Sequence, residues 1–216
     1  MYDIWTFTDA SVSTNRNTGI EVCVYGFAHC IVSRTDNMLV PVSRGIRTCT
    51  NIDVHTGEVW AIHMALIDIQ RFYLCKIGIF TDSDAAVHGI KEHYGNSRGI
   101  GTKPGLFKDA CINCASYYQW LAENVVRPSL VLCKSHSKPG LQKNYLRKQQ
   151  DPYSDDEWYV RNICFGNSYI DYLVSNIAIT GDLQALEQYG KTNQPSFRCF
   201  NETIFLDSFN GDRALM

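Results

Sequence analysis

Residues 79–90 read IFTDSDAAVHGI: an apolar β-type run ends at Thr81, Asp82 follows at once, and a helix-type run begins. A strand running straight into a helix is the repeating step of an α/β sheet, so this junction decides the fold class. Upstream, the apolar spacing from Thr56 is helical, with Glu58, Ile62, Leu66, Ile69 and Tyr73 on one face. Before that helix, residues 3–8 (DIWTFT), 20–33 and 38–48 read as strands joined by short polar links such as SVSTNRNTG, an antiparallel meander. Downstream come a strand at 76–81, a short helix at 85–93, a glycine-rich loop from Tyr94 to Gly105, a helix at 107–124 and the strand SLVLCK. The stretch 135–166 reads as mostly irregular, and a last helix begins near Asn167. The order predicts an α/β fold with a mixed five-stranded sheet, its first three strands antiparallel and its last two parallel to strand one. Helices cover both faces.

Length and composition agree with one domain. The chain has 216 residues, of which 45% are hydrophobic, enough for one well-buried core. No linker divides the pattern, so residues 1–181 read as a single domain with an insertion at about 141–166, and residues 182–216 as a C-terminal extension of unassigned role. The net charge of -2 leaves no general basic coat, so affinity for a polyanion must come from a local basic patch or from bound metal. The nine cysteines form no framework and read as free thiols of a reducing compartment. Cys111 and Cys114 stand at helical spacing with no second pair after them, so they read as packing residues and not as zinc ligands. The N-terminus lacks a basic and then apolar leader, and no run approaches the ~20 apolar residues of a membrane span. A cytoplasmic protein is expected.

Four acids stand at the ends of these elements. Asp9 closes strand one, Glu58 heads the apolar stripe of the first helix, Asp82 closes strand four, and Asp171 falls in the first turn of the last helix. Singly, each has an ordinary role: first-turn acids complement the helix macrodipole and strand-end acids start turns. Together they change meaning, because neighbouring strands one and four bring Asp9 beside Asp82 while the flanking helices deliver Glu58 and Asp171. Converging carboxylates repel one another unless divalent cations neutralise them. The pattern therefore predicts a site for hard cations.

The segments FTDAS, TGEVWAIHMAL, FTDSDAAV, CKSHSKPG and NSYIDYLV resemble, in order and in element context, the type 1 ribonuclease H family over most of residues 3–180. The resemblance implies a ribonuclease-H-like fold and an endonuclease that hydrolyses the RNA strand of RNA·DNA hybrids. It implies two Mg²⁺ ions, with Mn²⁺ as a substitute, held by Asp9, Glu58, Asp82 and Asp171. Asn167, four residues before Asp171, fits the family's N-x-x-x-D spacing, and His136 matches its mobile histidine, a catalytic group for proton transfer or product release. Two ions about 4 Å apart activate water and stabilise the leaving 3′ oxygen. Two alternatives stand beside this reading: a DNA nuclease or resolvase of related fold, and an inactive scaffold that binds nucleic acid.

Reading 2′-hydroxyls across a shallow minor groove needs small polar groups near the metals. Ser11, Asn15, Thr56, Gly57 and Ser83 are the candidates. The family often has glutamine or arginine after T-D-S, whereas this chain has Asp84, and no long basic helix occupies the glycine-rich loop. Lys134, Lys138, Lys143, Arg147 and Lys148 form a basic run free of acids around and beyond His136, a candidate track for substrate phosphates. The acidic and aromatic DPYSDDEWY that follows is expected to fold back over it.

Overall fold

The computed structural model describes residues 1–14, 19–33, 37–94 and 105–180. Asn15, most of the glycine-rich loop and the 182–216 extension lie outside the described residues. Three long strands come first, β1 (Ile4–Thr14), β2 (Glu21–Val32) and β3 (Leu39–Thr50). They are followed by α1 (Val54–Asp68) with a 3₁₀ turn, β4 (Ile77–Thr81), α2 (Asp84–His93), α3 (Leu106–Asn124), β5 (Ser129–Leu132), α4 (Pro139–Lys148) and α5 (Glu157–Thr180). The sheet order is β3-β2-β1-β4-β5, with β1 antiparallel to β2 and parallel to β4, and β4 parallel to β5. This is the mixed five-stranded sheet expected from the sequence. At its β3 edge, Pro41 stands beside a register shift between His29 and Cys30.

Each face of the sheet is closed by its own apolar layer. Trp5, Phe7 and Phe80 point to one side and pack with Tyr159, Ile163 and Ile170 of α5 and with Leu146 of α4. Ile4, Ile77 and Ile79 point to the other, under Ile62 and Leu66 of α1, Ile90 of α2, and Cys111 and Cys114 of α3. Cys111 and Cys114 are thus core residues, and burial pushes the Cys111 thiol up to about 11. The other cysteines among the described residues are likewise unpaired. No helix among the described residues is long and apolar enough to cross a membrane.

Two parts of the sequence reading are corrected. The 135–166 stretch, expected to be mostly irregular, is largely helical: Pro139 and Gly140 open α4 with proline in its first turn, where a missing N–H costs nothing. Leu146 and Gln142, four apart, form its buried side. The last helix starts ten residues before Asn167, at Glu157, with Asp156 accepting from the Tyr159 amide as its cap. A polar opening turn hid the inward-facing Tyr159, Val160 and Ile163.

α5 approaches the sheet at Gly166. A Cβ there would lie 2.1 Å from Cζ of Phe7, itself fully buried. Alanine favours a helix over glycine by about 1 kcal/mol, but crowding a packed core costs about 1–3 kcal/mol, and here the neighbour is a ring with no room to move. Gly166→Ala should therefore lower the thermal midpoint by about 5 °C. A midpoint equal to or above the parent's in thermal unfolding would show that α5 does not rest on Phe7.

Candidate metal centre

The parallel pairing of β1 with β4 ends at Phe7 opposite Phe80. Asp9 and Asp82 each lie two residues further on, where the strands have stopped bonding to each other. β1 itself continues to Thr14, so Asp9 is interior to the strand and not at its end. α1 supplies Glu58 from above, brought close by Gly57, at which a Cβ would lie 2.5 Å from Sγ of Cys23. The result is a compact group: Asp9, Glu58 and Asp82 offer carboxylate oxygens that all lie within 4.8 Å of one another.

The ordinary explanations for these acids fail one by one. α2 is capped by Ser83, whose Oγ accepts from the Ala86 amide at 3.3 Å, so Asp82 is not its cap. α1 is capped by Asp53, which accepts from the Thr56 amide at 2.8 Å, and Glu58 lies beyond the first turn in which it was expected. Asp171 sits deep inside α5, so the helix macrodipole does not account for it. These acids answer to something other than secondary structure.

Burial and mutual repulsion set the electrostatics of these acids. The Ala10 amide donates to both Asp9 Oδ1 (2.8 Å) and Glu58 Oε1 (3.2 Å), while Glu58 Oε2 is buried with no hydrogen-bond partner. Burial first, then repulsion from Asp82, pushes the Asp9 carboxyl up to about 8. Burial and then repulsion from Asp9 and Asp82 hold Glu58 well above the usual carboxylate range. An orphaned carboxylate oxygen facing two further acids suits an oxygen-seeking divalent cation. The donor set fits the ions implied by the sequence.

Asp82 is held in place from α5. Asn167 Nδ2 donates to its Oδ2 at 3.2 Å, and Asn167 Oδ1 accepts from the buried Cys133 thiol at 3.4 Å. The sequence pointed to Asn167 only through its spacing to Asp171; its contact with Asp82 crosses between elements. Asp171 is outside the tight group, although its charge also raises Asp9. It accepts from Ser175 Oγ at 3.2 Å, and His136 Nδ1 stands 3.7 Å from its other oxygen. His136 has 69% of its side chain exposed and a left-handed backbone (φ 44°).

Of the proposed substrate contacts, Thr56 is buried and bonded to Asp53, Gly57 lies buried in α1 against Cys23 and Ala10, and Ser83 caps α2. Ser11 is half-buried on β1, and Asp84 opens α2. Lys134 and Lys138 flank His136, while Lys143, Arg147 and Lys148 lie on α4. The expected fold-back of the acidic segment is made by Asp155 alone, which takes Lys143 at 3.4 Å and Arg147 Nε at 3.0 Å. Asp156 caps α5 and Glu157 pairs with Arg161, so neither is free to cover the basic run.

No protein-family model matches the chain, and no curated protein sequence is significantly similar to it. Solved structures are similar. The native protease–reverse transcriptase of prototype foamy virus superposes with a TM-score of 0.50 at 16% identity, over 78% of this chain and 21% of that one. A foamy viral protease–reverse transcriptase bound to an RNA/DNA hybrid gives 0.50 at 17% identity, over 67% of this chain and 19% of that one. The chain thus spans about a fifth of these proteins. The ribonuclease H domain of prototype foamy virus in solution gives 0.46 at 13% identity, over 79% and 96%. The sheet order above and the two superpositions at 0.50 give the chain the ribonuclease-H-like fold.

A carboxyl whose pKa rises on folding favours the fold only while protonated. The contribution of Asp9 to metal-free stability should therefore be full below the unfolded value of about 4 and be lost as pH climbs to about 8, its folded value. Excess Mg²⁺ should raise the midpoint by several degrees at pH 8 and by little at pH 5, as differential scanning calorimetry would report. An equal shift at both pH values would separate the cation's effect from these acids.

Proposed function

We propose that this chain is a type 1 ribonuclease H, a nuclease that hydrolyses the RNA strand of RNA·DNA hybrids with two divalent cations. The observation that carries the reading is the convergence of Asp9, Glu58 and Asp82 with a buried, unpartnered Glu58 Oε2. Mg²⁺ held by these carboxylates would supply the Lewis acidity that activates water and offsets charge on the leaving oxygen. The chain's own groups have separate tasks. Asp9, Glu58 and Asp82 hold the cations, Asn167 keeps Asp82 turned towards them, and Asp171 completes the site from α5 beside His136. His136, exposed and on a loop, moves a proton to the departing 3′ oxygen or helps the product phosphate leave. The basic residues of α4 lie along the phosphates, with Ser11 and Ser83 on the groove side.

Asp84 favours keeping one second reading. It puts an extra acid in the first turn of α2, two residues from Asp82, where a contact to phosphate would otherwise strengthen hybrid binding, and DNA cleavage by the same cation chemistry is that reading. Matched RNA·DNA, RNA·RNA and DNA·DNA duplexes, each with Mg²⁺ or EDTA, separate the two. Cleavage confined to the RNA strand of the hybrid supports the first, and cleavage confined to DNA replaces it with the second.

Asp9→Asn or Asp82→Asn should cut hydrolysis by on the order of a thousandfold while the fold persists by circular dichroism. Near-parental activity in either variant ends the two-cation assignment. His136→Ala should slow turnover by about a hundredfold and leave the Mg²⁺-dependent thermal shift intact. Neutralising Lys143, Arg147 and Lys148 together should raise KM and reduce the salt slope of binding by about one unit for each lost phosphate contact. Asp155→Asn should do the reverse by releasing Lys143 and Arg147. Hybrid affinity measured in Ca²⁺ across a salt series tests both, and unchanged slopes would move the substrate path away from α4.

A further inference from the structure

We infer that α4 is a bracket for the loop carrying His136, and that Gln142 is the positioning residue that sets where this histidine stands. The inference rests on the proton-transfer role proposed for His136. Gln142 is fully buried on α4. Its Oε1 accepts from the Lys134 backbone amide at 2.9 Å and faces Ser137 Oγ at 2.9 Å, and the same hydroxyl reaches the Lys134 carbonyl at 3.0 Å. One side chain thus grips the loop on both sides of His136. The amide cannot be turned over, because a backbone N–H must meet an oxygen.

Two more residues of α4 and its end hold the same segment. Gln149 Nε2 donates to the Leu132 carbonyl at 3.0 Å, and Lys134 Nζ stands 5.8 Å from the centre of the Tyr145 ring. Leu146, fully buried, anchors the helix between them. The imidazole itself is mostly exposed, and the contact described for it is the 3.7 Å approach to Asp171. Its position is therefore governed by its backbone. That backbone is left-handed (φ 44°), a conformation disfavoured for a residue with a Cβ, and it persists where surrounding bonds impose it.

Gln142 also carries a cost that packing alone does not explain. Its Nε2 is buried without a partner, and such a group is destabilising because its lost hydration is not replaced. A methionine of the same shape would fill the space without it. What methionine would lack is the acceptor for Lys134.

The experiment compares Gln142→Met, which keeps the shape and removes the acceptor, with Gln142→Glu, whose carboxyl keeps an oxygen towards Lys134 in either protonation state. Hydrogen exchange at the Lys134 amide needs no catalysis: in Gln142→Met it should speed up by about tenfold or more relative to the amides of β5, and Gln142→Glu should restore protection. With Mg²⁺ and the RNA·DNA hybrid, Gln142→Met should lower kcat by about tenfold and leave KM within about twofold. In a His136→Ala background the same substitution should cost nothing further, because Gln142 acts through the histidine. Unchanged exchange at Lys134 would overturn the bracket. An equal loss of kcat with and without His136 would overturn the positioning role. Failure of the nuclease reading is visible separately, as a parent chain whose hydrolysis is absent or indifferent to His136→Ala, with Gln142 untouched.

Discussion

Phe7 is the side chain on which the geometry turns. Its ring stacks on Phe80 at 5.1 Å across the β1–β4 pair, and α5 touches down on the same ring through Gly166. From these two contacts the site follows by counting. Two residues beyond Phe7 is Asp9, two beyond Phe80 is Asp82, and one beyond Gly166 is Asn167, which donates to Asp82. A parallel pair held in register by stacked rings cannot slip without turning every alternate side chain to the other face. The packing of one aromatic residue thereby fixes three polar ones.

Acids in this chain divide by what satisfies them. Asp53 and Asp156 accept from helix amides, Asp68 takes the buried His29 at 2.9 Å and Arg71, and Asp155 takes a lysine and an arginine. All of these have partners that offset their charge. Asp9, Glu58 and Asp82 have instead one another, a shared backbone amide and an asparagine. Burial without a counter-charge is a cost to the metal-free fold, and such strain in a protein collects where a ligand relieves it.

The strands, α1 to α3 and the convergence of Asp9, Glu58 and Asp82 were legible in the sequence because each rests on a local period. Trp5, Phe7 and Asp9 share one face by alternation, and Glu58, Ile62 and Leu66 one stripe by helical spacing. α4 was not legible, since Pro139 and Gly140 announce a turn as readily as a helix start, and its buried side consists of one leucine and one glutamine. The start of α5 was hidden by Asp155, Asp156 and Glu157, a run of acids that reads as a solvated loop although Asp156 is the cap of the helix. Gln142 carried no signal at all: nothing in KPGLQKN distinguishes a solvated amide from one gripping the loop behind it. Positions set by repeat are readable, while those set by contact between elements are not.

The outer margin of the sheet bears on how copies of this chain behave when crowded. β3 is an edge strand of twelve residues, long enough to recruit a strand from another molecule. Pro41 removes one amide from that edge, the register shift beside it breaks the run of evenly spaced acceptors, and Arg44 and Arg47 add like charges along it. The opposite edge, β5, is four residues long. Edges shortened, kinked or charged in this way discourage strand-to-strand growth, so the sheet that carries the acids is guarded against extending itself into fibrils.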